Sequence, residues 1–74
     1  MSKATNVTNS MRALRFRSGE MTQKQLADRV GVTRQTIIAI EQGRYSPSLE
    51  MAFKIAAVLD APLEEVFHYP KEQT

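Results

Sequence analysis

Apolar residues recur along this chain at the spacing of helix faces, and short polar or glycine-containing breaks divide the pattern into five pieces. Val7, Met11 and Leu14 fall on one helical face, which predicts a first helix from about Thr8 to Arg17. Leu26, Ala27 and Val30 give a narrow apolar stripe to a second, from about Gln23 to Val30, and Ile37 and Ile40 to a third, from about Arg34 to Gln42. Leu49, Ala52, Phe53, Ile55, Ala56 and Leu59 form the most apolar stretch. It is expected to be a helix buried on two sides, at the back of the core. Leu63, Val66 and Phe67 give an apolar face to a last short helix. No alternating strand pattern is present. The expected fold class is therefore all-α, five short helices. The domain spans residues 8–69, with 1–7 as a flexible N-terminus and 70–74 as a C-terminal tail.

The breaks carry their own chemistry. Thr22 can cap the second helix, and Gln25 three residues on completes a capping-box pattern. Gly31 stops that helix, since glycine enters the left-handed region without steric penalty. Val32 plugs the turn, and Thr33 caps the third helix. Two helices joined by so tight a turn must cross steeply, which is helix-turn-helix geometry, and the small Ala27 suits their closest approach. Met21, in the connection from the first helix, is expected to turn inward. Ser48 caps the fourth helix, with Glu50 in its first turn, where a carboxylate complements the helix dipole. Asp60-Ala61-Pro62 ends that helix, and Pro62 starts the fifth.

Length and composition narrow the function. Seventy-four residues, 42% of them apolar, suit one domain with a small core, and modest stability makes a dimer energetically reasonable. The chain has no cysteine, so disulfides, thiolate metal sites and cysteine nucleophiles are out. No apolar run approaches the roughly 20 residues of a membrane span, and the first ten residues lack the apolar stretch of a signal peptide. A soluble, cytoplasmic protein is expected. The net charge is only +2, but residues 1–44 carry eight Lys or Arg against three Asp or Glu, and residues 45–74 carry two against five. A basic half facing a polyanion would explain that asymmetry, and so would chance on a solvated surface.

The string T-Q-x-x-L-A-x-x-V-G-V-T-R-Q-T-I-x-x-I-E-x-G, from Thr22 to Gly43, resembles the DNA-binding domain of the lambda-repressor and Cro family, also called the xenobiotic-response-element family. The later P-S-L-E-M-A-F-K-I-A-A-V-L matches it too, so the likeness runs from about Met11 to Phe67. It implies a sequence-specific regulator of transcription that binds double-stranded DNA, with repression the expected sign. The recognition helix, residues 34–42, would enter the major groove, and a homodimer would bind an inverted repeat. No cofactor, metal or small-molecule ligand is implied.

The leading end of a recognition helix lies closest to the bases, so its side chains should be long, polar and outward-facing. Arg34 can donate two hydrogen bonds to guanine, and Gln35 can pair with adenine. Ile38 can pack on a thymine methyl or extend the core; both readings stand. Ala39 offers methyl contact alone. Phosphate contacts fall to Gln23, by the resemblance and by its place at a helix N-terminus. Lys24, Thr33, Thr36, Gln42, Arg44 and Tyr45 join it, although Thr33 also has a capping role and Arg29 reads as solvated surface. The resemblance further pairs Arg15 with Glu41, fixing the first helix against the third. Leu63, Val66, Phe67 and Tyr69 are the expected dimer interface, unless they only close the monomer core.

Rival classes fare worse. An antitoxin-like adaptor that sequesters a partner protein is the main alternative. His68 is the one histidine and has no second ligand beside it for a metal set, and Glu64 and Glu65 are adjacent, so on a helix they diverge. There is no phosphate-binding glycine motif. No catalytic residue is assigned, and the scattered methionines read as core filling.

Overall fold

Three of the helices begin on a hydroxyl. The computed structural model describes residues 5–70, and in it Thr22, Thr33 and Ser48 accept hydrogen bonds from the backbone N–H groups of Gln25, Thr36 and Met51. Each bond satisfies one of the amides a helix start leaves without a partner. They open α2 (Gln23–Val30), α3 (Arg34–Glu41) and α4 (Leu49–Leu59). At Thr22 the return bond is present too, the backbone N–H donating to Gln25 Oε1 at 2.9 Å, which completes the capping box. Gly31 ends α2 at φ +91, and its N–H and that of Val32 both donate to the Ala27 carbonyl. That leaves Gly31, Val32 and Thr33 to turn the chain. Ala27, 1% exposed, lies in the core beneath the α2–α3 crossing.

The first helix, α1 (Met11–Arg17), is shorter than its apolar spacing predicts. Thr8 and Asn9 are not helical. They form β1, which pairs antiparallel with β2 (Phe67–His68), Thr8 opposite His68 and Asn9 opposite Phe67. The Ser10 N–H continues the ladder to the Val66 carbonyl at 2.9 Å. The last helix, α5 (Leu63–Val66), correspondingly stops before Phe67, and Pro62 occupies its N-cap position. His68 therefore sits on a strand and not at a helix end. A period of three to four cannot tell these cases apart, because so short a strand carries no alternation and its partner is 60 residues away.

One core gathers Met11 and Leu14 of α1, Leu26, Ala27 and Val30 of α2, Ile37 and Ile40 of α3, Ile55, Ala56 and Leu59 of α4, and Val66 of α5, with Met21 of the α1–α2 connection turned in among them. The expectation that α4 is buried on two sides fails. Leu49 is 67% and Phe53 54% exposed, because α4 is covered only on the face that meets α2 and α5. Residues 1–4 and 71–74, most of the expected flexible terminus and tail, lie outside the described residues.

Candidate nucleic-acid interface

The buried edge of α3 is Ile37 and Ile40, and this decides which way its other side chains point. Arg34 and Gln35, at the leading end, are exposed, whereas Thr36, Ile38 and Ala39 are half-covered. None of Arg12, Arg29, Arg34 and Arg44 is in an ion pair among the described residues. The Arg34 guanidinium thus keeps its full set of donors for an outside acceptor.

The helix that carries Arg34 is anchored at both ends. At the start, Thr33 Oγ1 accepts from the Thr36 N–H at 3.2 Å and bonds the Thr36 hydroxyl at 3.0 Å. The two threonines assigned to phosphates therefore engage each other at the helix start. At the far end, Arg15 grips Glu41 with two bonds, Nε to Oε2 at 2.6 Å and Nη2 to Oε1 at 3.1 Å, and donates from Nη1 to the Met21 carbonyl at 2.8 Å. The pair is largely out of water, with the side chains 13% and 9% exposed. It ties α1 to α3 across 26 residues of chain. Glu41 is thereby neutralised beside an open groove between α1, the start of α2 and α3, whose charged side chains apart from that pair are Arg12, Lys24, Arg34 and the single carboxylate Glu20.

Gln23 belongs to the same cluster. Its amide donates to Glu41 Oε1 at 3.1 Å, so the side chain is held rather than free, with one N–H and the carbonyl oxygen still available. Lys24 is engaged with Asp28 one turn along α2, at 2.9 and 3.0 Å, an exposed and readily exchanged pair. Gln42 is the exposed C-cap of α3, and Arg44 and Tyr45 follow it on the exposed loop to α4.

Three residues had no role assigned from sequence. Asn9 donates from Nδ2 to the Ile40 carbonyl at 3.0 Å while its Oδ1 accepts from the Met11 N–H, so the β1–β2 clasp also holds the C-terminal end of α3. Arg12 and Phe16 line the groove from α1, and Phe16 is 69% exposed. The bond from the Met11 N–H is local, but nothing local marks the link to α3, because that acceptor is 31 residues away. Phe16 lies off the Met11 and Leu14 stripe of α1, which is why it is left in water. The expected dimer residues divide. Val66 is fully buried in the protomer, so its assignment to a dimer surface is overturned. Leu63 and Phe67 are half-buried against the same core, and Tyr69 is exposed.

The profile of the helix-turn-helix family matches residues 11–66, most of the chain and all five helices. The chain belongs to the lambda-repressor/Cro-like helix-turn-helix family. It is 51% identical over 53 residues to an uncharacterised HTH-type transcriptional regulator of Archaeoglobus fulgidus, covering 72% of this chain and 75% of that one. An uncharacterised HTH-type transcriptional regulator of Bacillus subtilis, YgzD, is 45% identical over 64 residues, covering 86% of this chain and 96% of YgzD. Among solved structures, a Neisseria protein described as a hypothetical transcription factor, NHTF, superposes with a TM-score of 0.70 at 30% identity, covering 81% of this chain and 68% of that one. A Bacteroides fragilis protein shares the fold, with a TM-score of 0.72 at 22% identity over 84% of this chain and 98% of that one. Membership makes this a DNA-binding transcriptional regulator of the helix-turn-helix kind. No helix among the described residues is long and apolar enough to cross a membrane.

Proposed function

We propose that the chain is a sequence-specific repressor that binds an inverted repeat as a homodimer, with α3 in the major groove. The observation that carries this reading is the state of Arg34. It is an exposed, unpaired guanidinium at the leading end of a helix held by the Thr33 cap, the Arg15–Glu41 pair and Asn9. A donor fork presented on a fixed rod loses little freedom on docking, so its bonds to guanine O6 and N7 contribute to discrimination, about 1–3 kcal/mol for a bidentate pair. Gln35 beside it reads adenine, and the half-covered Ile38 packs on a thymine methyl.

Phosphates are held by Gln23, Arg44, Tyr45 and Gln42, with Lys24 exchanging Asp28 for a phosphate when DNA arrives. Thr33 and Thr36 contribute their outer faces. These contacts supply affinity and salt dependence but no sequence choice. A homodimer presents two recognition helices about 34 Å apart on one face of the duplex, which makes the preferred site a two-fold repeat.

Selection of bound DNA from a random pool tests the reading directly. The expected result is one half-site, repeated in inverted order at a spacing near one helical turn. The Arg34→Ala variant should return the same site with one base pair per half relaxed. A reporter whose promoter overlaps the selected site should fall in expression when the chain is produced. Recovery of no preferred sequence, or an unchanged consensus for Arg34→Ala, would overturn the assignment of α3.

A further inference from the structure

The outer face of α4 is an apolar stripe that the protomer leaves uncovered. Leu49, Phe53 and Ala57 recur every fourth residue along it, and all three are exposed. They form a shallow apolar strip bordered on one side by Glu50 and Lys54. That border pair is barely made within the helix, at 4.0 Å with both side chains open to water. The opposite face of the same helix, Ala52, Ile55, Ala56 and Leu59, is spent on the core. It is the contiguity of Leu49, Phe53 and Ala57, rather than the exposure of any one of them, that marks a contact surface.

We infer that this stripe is where a second copy of the chain docks, α4 packing antiparallel on the partner's α4 about a two-fold axis. The order of the residues favours a copy of itself over an unrelated partner. In an antiparallel two-fold pair each flank of a helix faces the same flank of its mate. Glu50 then meets the partner's Lys54, and Lys54 meets the partner's Glu50. Along the seam the large Leu49 lies towards the partner's small Ala57, and Phe53 meets the partner's Phe53 near the axis. Such an interface is isologous and closes at two copies. A parallel arrangement would bring opposite flanks together and leave Glu50 and Lys54 without each other.

The stripe is narrower than the about 800 Å² per partner of a standard stable interface, so pairing in free solution should be weak and concentration-dependent. This inference deepens the homodimer part of the proposed function and moves the contact from α5, where Val66 is sealed in the core, to α4.

The test is sedimentation of the full chain without DNA, for wild type, Glu50→Lys, Lys54→Glu and an equimolar mixture of the two variants. Wild type should show a monomer–dimer equilibrium. Each variant alone should dimerise at least about tenfold more weakly, because two cross-axis attractions become two repulsions. The mixture should recover dimer at or above the wild-type level, since one chain is then positive at both positions and the other negative. Only pairing between chains predicts that rescue; loss of the pair within one helix does not. Circular dichroism of each variant at low concentration should be that of wild type, as both side chains are exposed. Monomeric wild type throughout, unchanged association of either variant, or a mixture no better than its components each overturns the inference. If it is overturned while DNA selection still returns an inverted repeat, the regulator reading stands and the dimer uses another surface.

Discussion

Replacing Glu41 with leucine should cost this domain a large share of its stability, and the structure says how much. The Arg15 guanidinium makes three hydrogen bonds, two to Glu41 and one to the Met21 carbonyl, with a side chain only 13% exposed. Glu41→Leu removes two of them and leaves a cation with little water and one carbonyl. Breaking a buried pair by deleting one partner costs about 3–5 kcal/mol, because the stranded charge keeps its desolvation penalty. For a domain of this size each kcal/mol lowers the melting temperature by about 4–8 °C, so a fall of at least about 12 °C is expected. Arg15→Met should do comparable damage by stranding the Glu41 carboxylate, for which Gln23 alone remains as a donor. The double variant Arg15→Met/Glu41→Leu strands neither charge and should recover most of the loss. Urea unfolding at one fixed protein concentration measures all four forms, and the double-mutant cycle isolates a coupling of at least about 2 kcal/mol. The exposed Arg17–Glu65 pair, at 3.2 Å, is the internal control, with an expected coupling of about 0.2–1 kcal/mol. A coupling for Arg15–Glu41 no larger than that control would refute the idea that a partly dehydrated ion pair positions α3.

Gly31→Ala should destabilise by about 1–2 kcal/mol in the same unfolding assay, purely from left-handed strain at φ +91, because no atom lies within 4 Å of the added methyl. Asn9→Ala removes two hydrogen bonds, one to the Ile40 carbonyl, which keeps the Gly43 N–H, and one from the Met11 N–H, and should cost about 1–3 kcal/mol in urea unfolding, with faster amide exchange at the end of α3. Arg44→Ala should weaken DNA binding about equally for all sequences and lower the slope of log affinity against log salt by about 1, measured by fluorescence anisotropy across salt concentrations.

Much of this domain can be read from neighbouring residues because its boundaries are set locally. A hydroxyl at Thr22, Thr33 or Ser48 bonds an amide three residues on, and a glycine at Gly31 stops a helix whatever packs around it. The α2–turn–α3 unit and the outward placement of Arg34 and Gln35 follow from those signals and from the Ile37 and Ile40 stripe. The opposite lesson comes from α1, which loses its first expected turn to a two-residue strand. Its apolar spacing would fit either state, and the ladder to Phe67–His68 decides between them from the other end of the chain. Asn9 also receives the Met11 N–H locally, but it reaches α3 only because folding brings the Ile40 carbonyl to it. Val66 and Phe53 were misjudged for one shared reason. Both are apolar residues on helices, and periodicity says which residues share a face but not which face the rest of the molecule covers. Tertiary packing seals Val66 inside and leaves Phe53 in water, because α4 has neighbours on one side only. Short-range hydrogen bonds and steric limits act within a turn of helix and so are written in consecutive residues. Coverage depends on surfaces that meet only after the chain has closed.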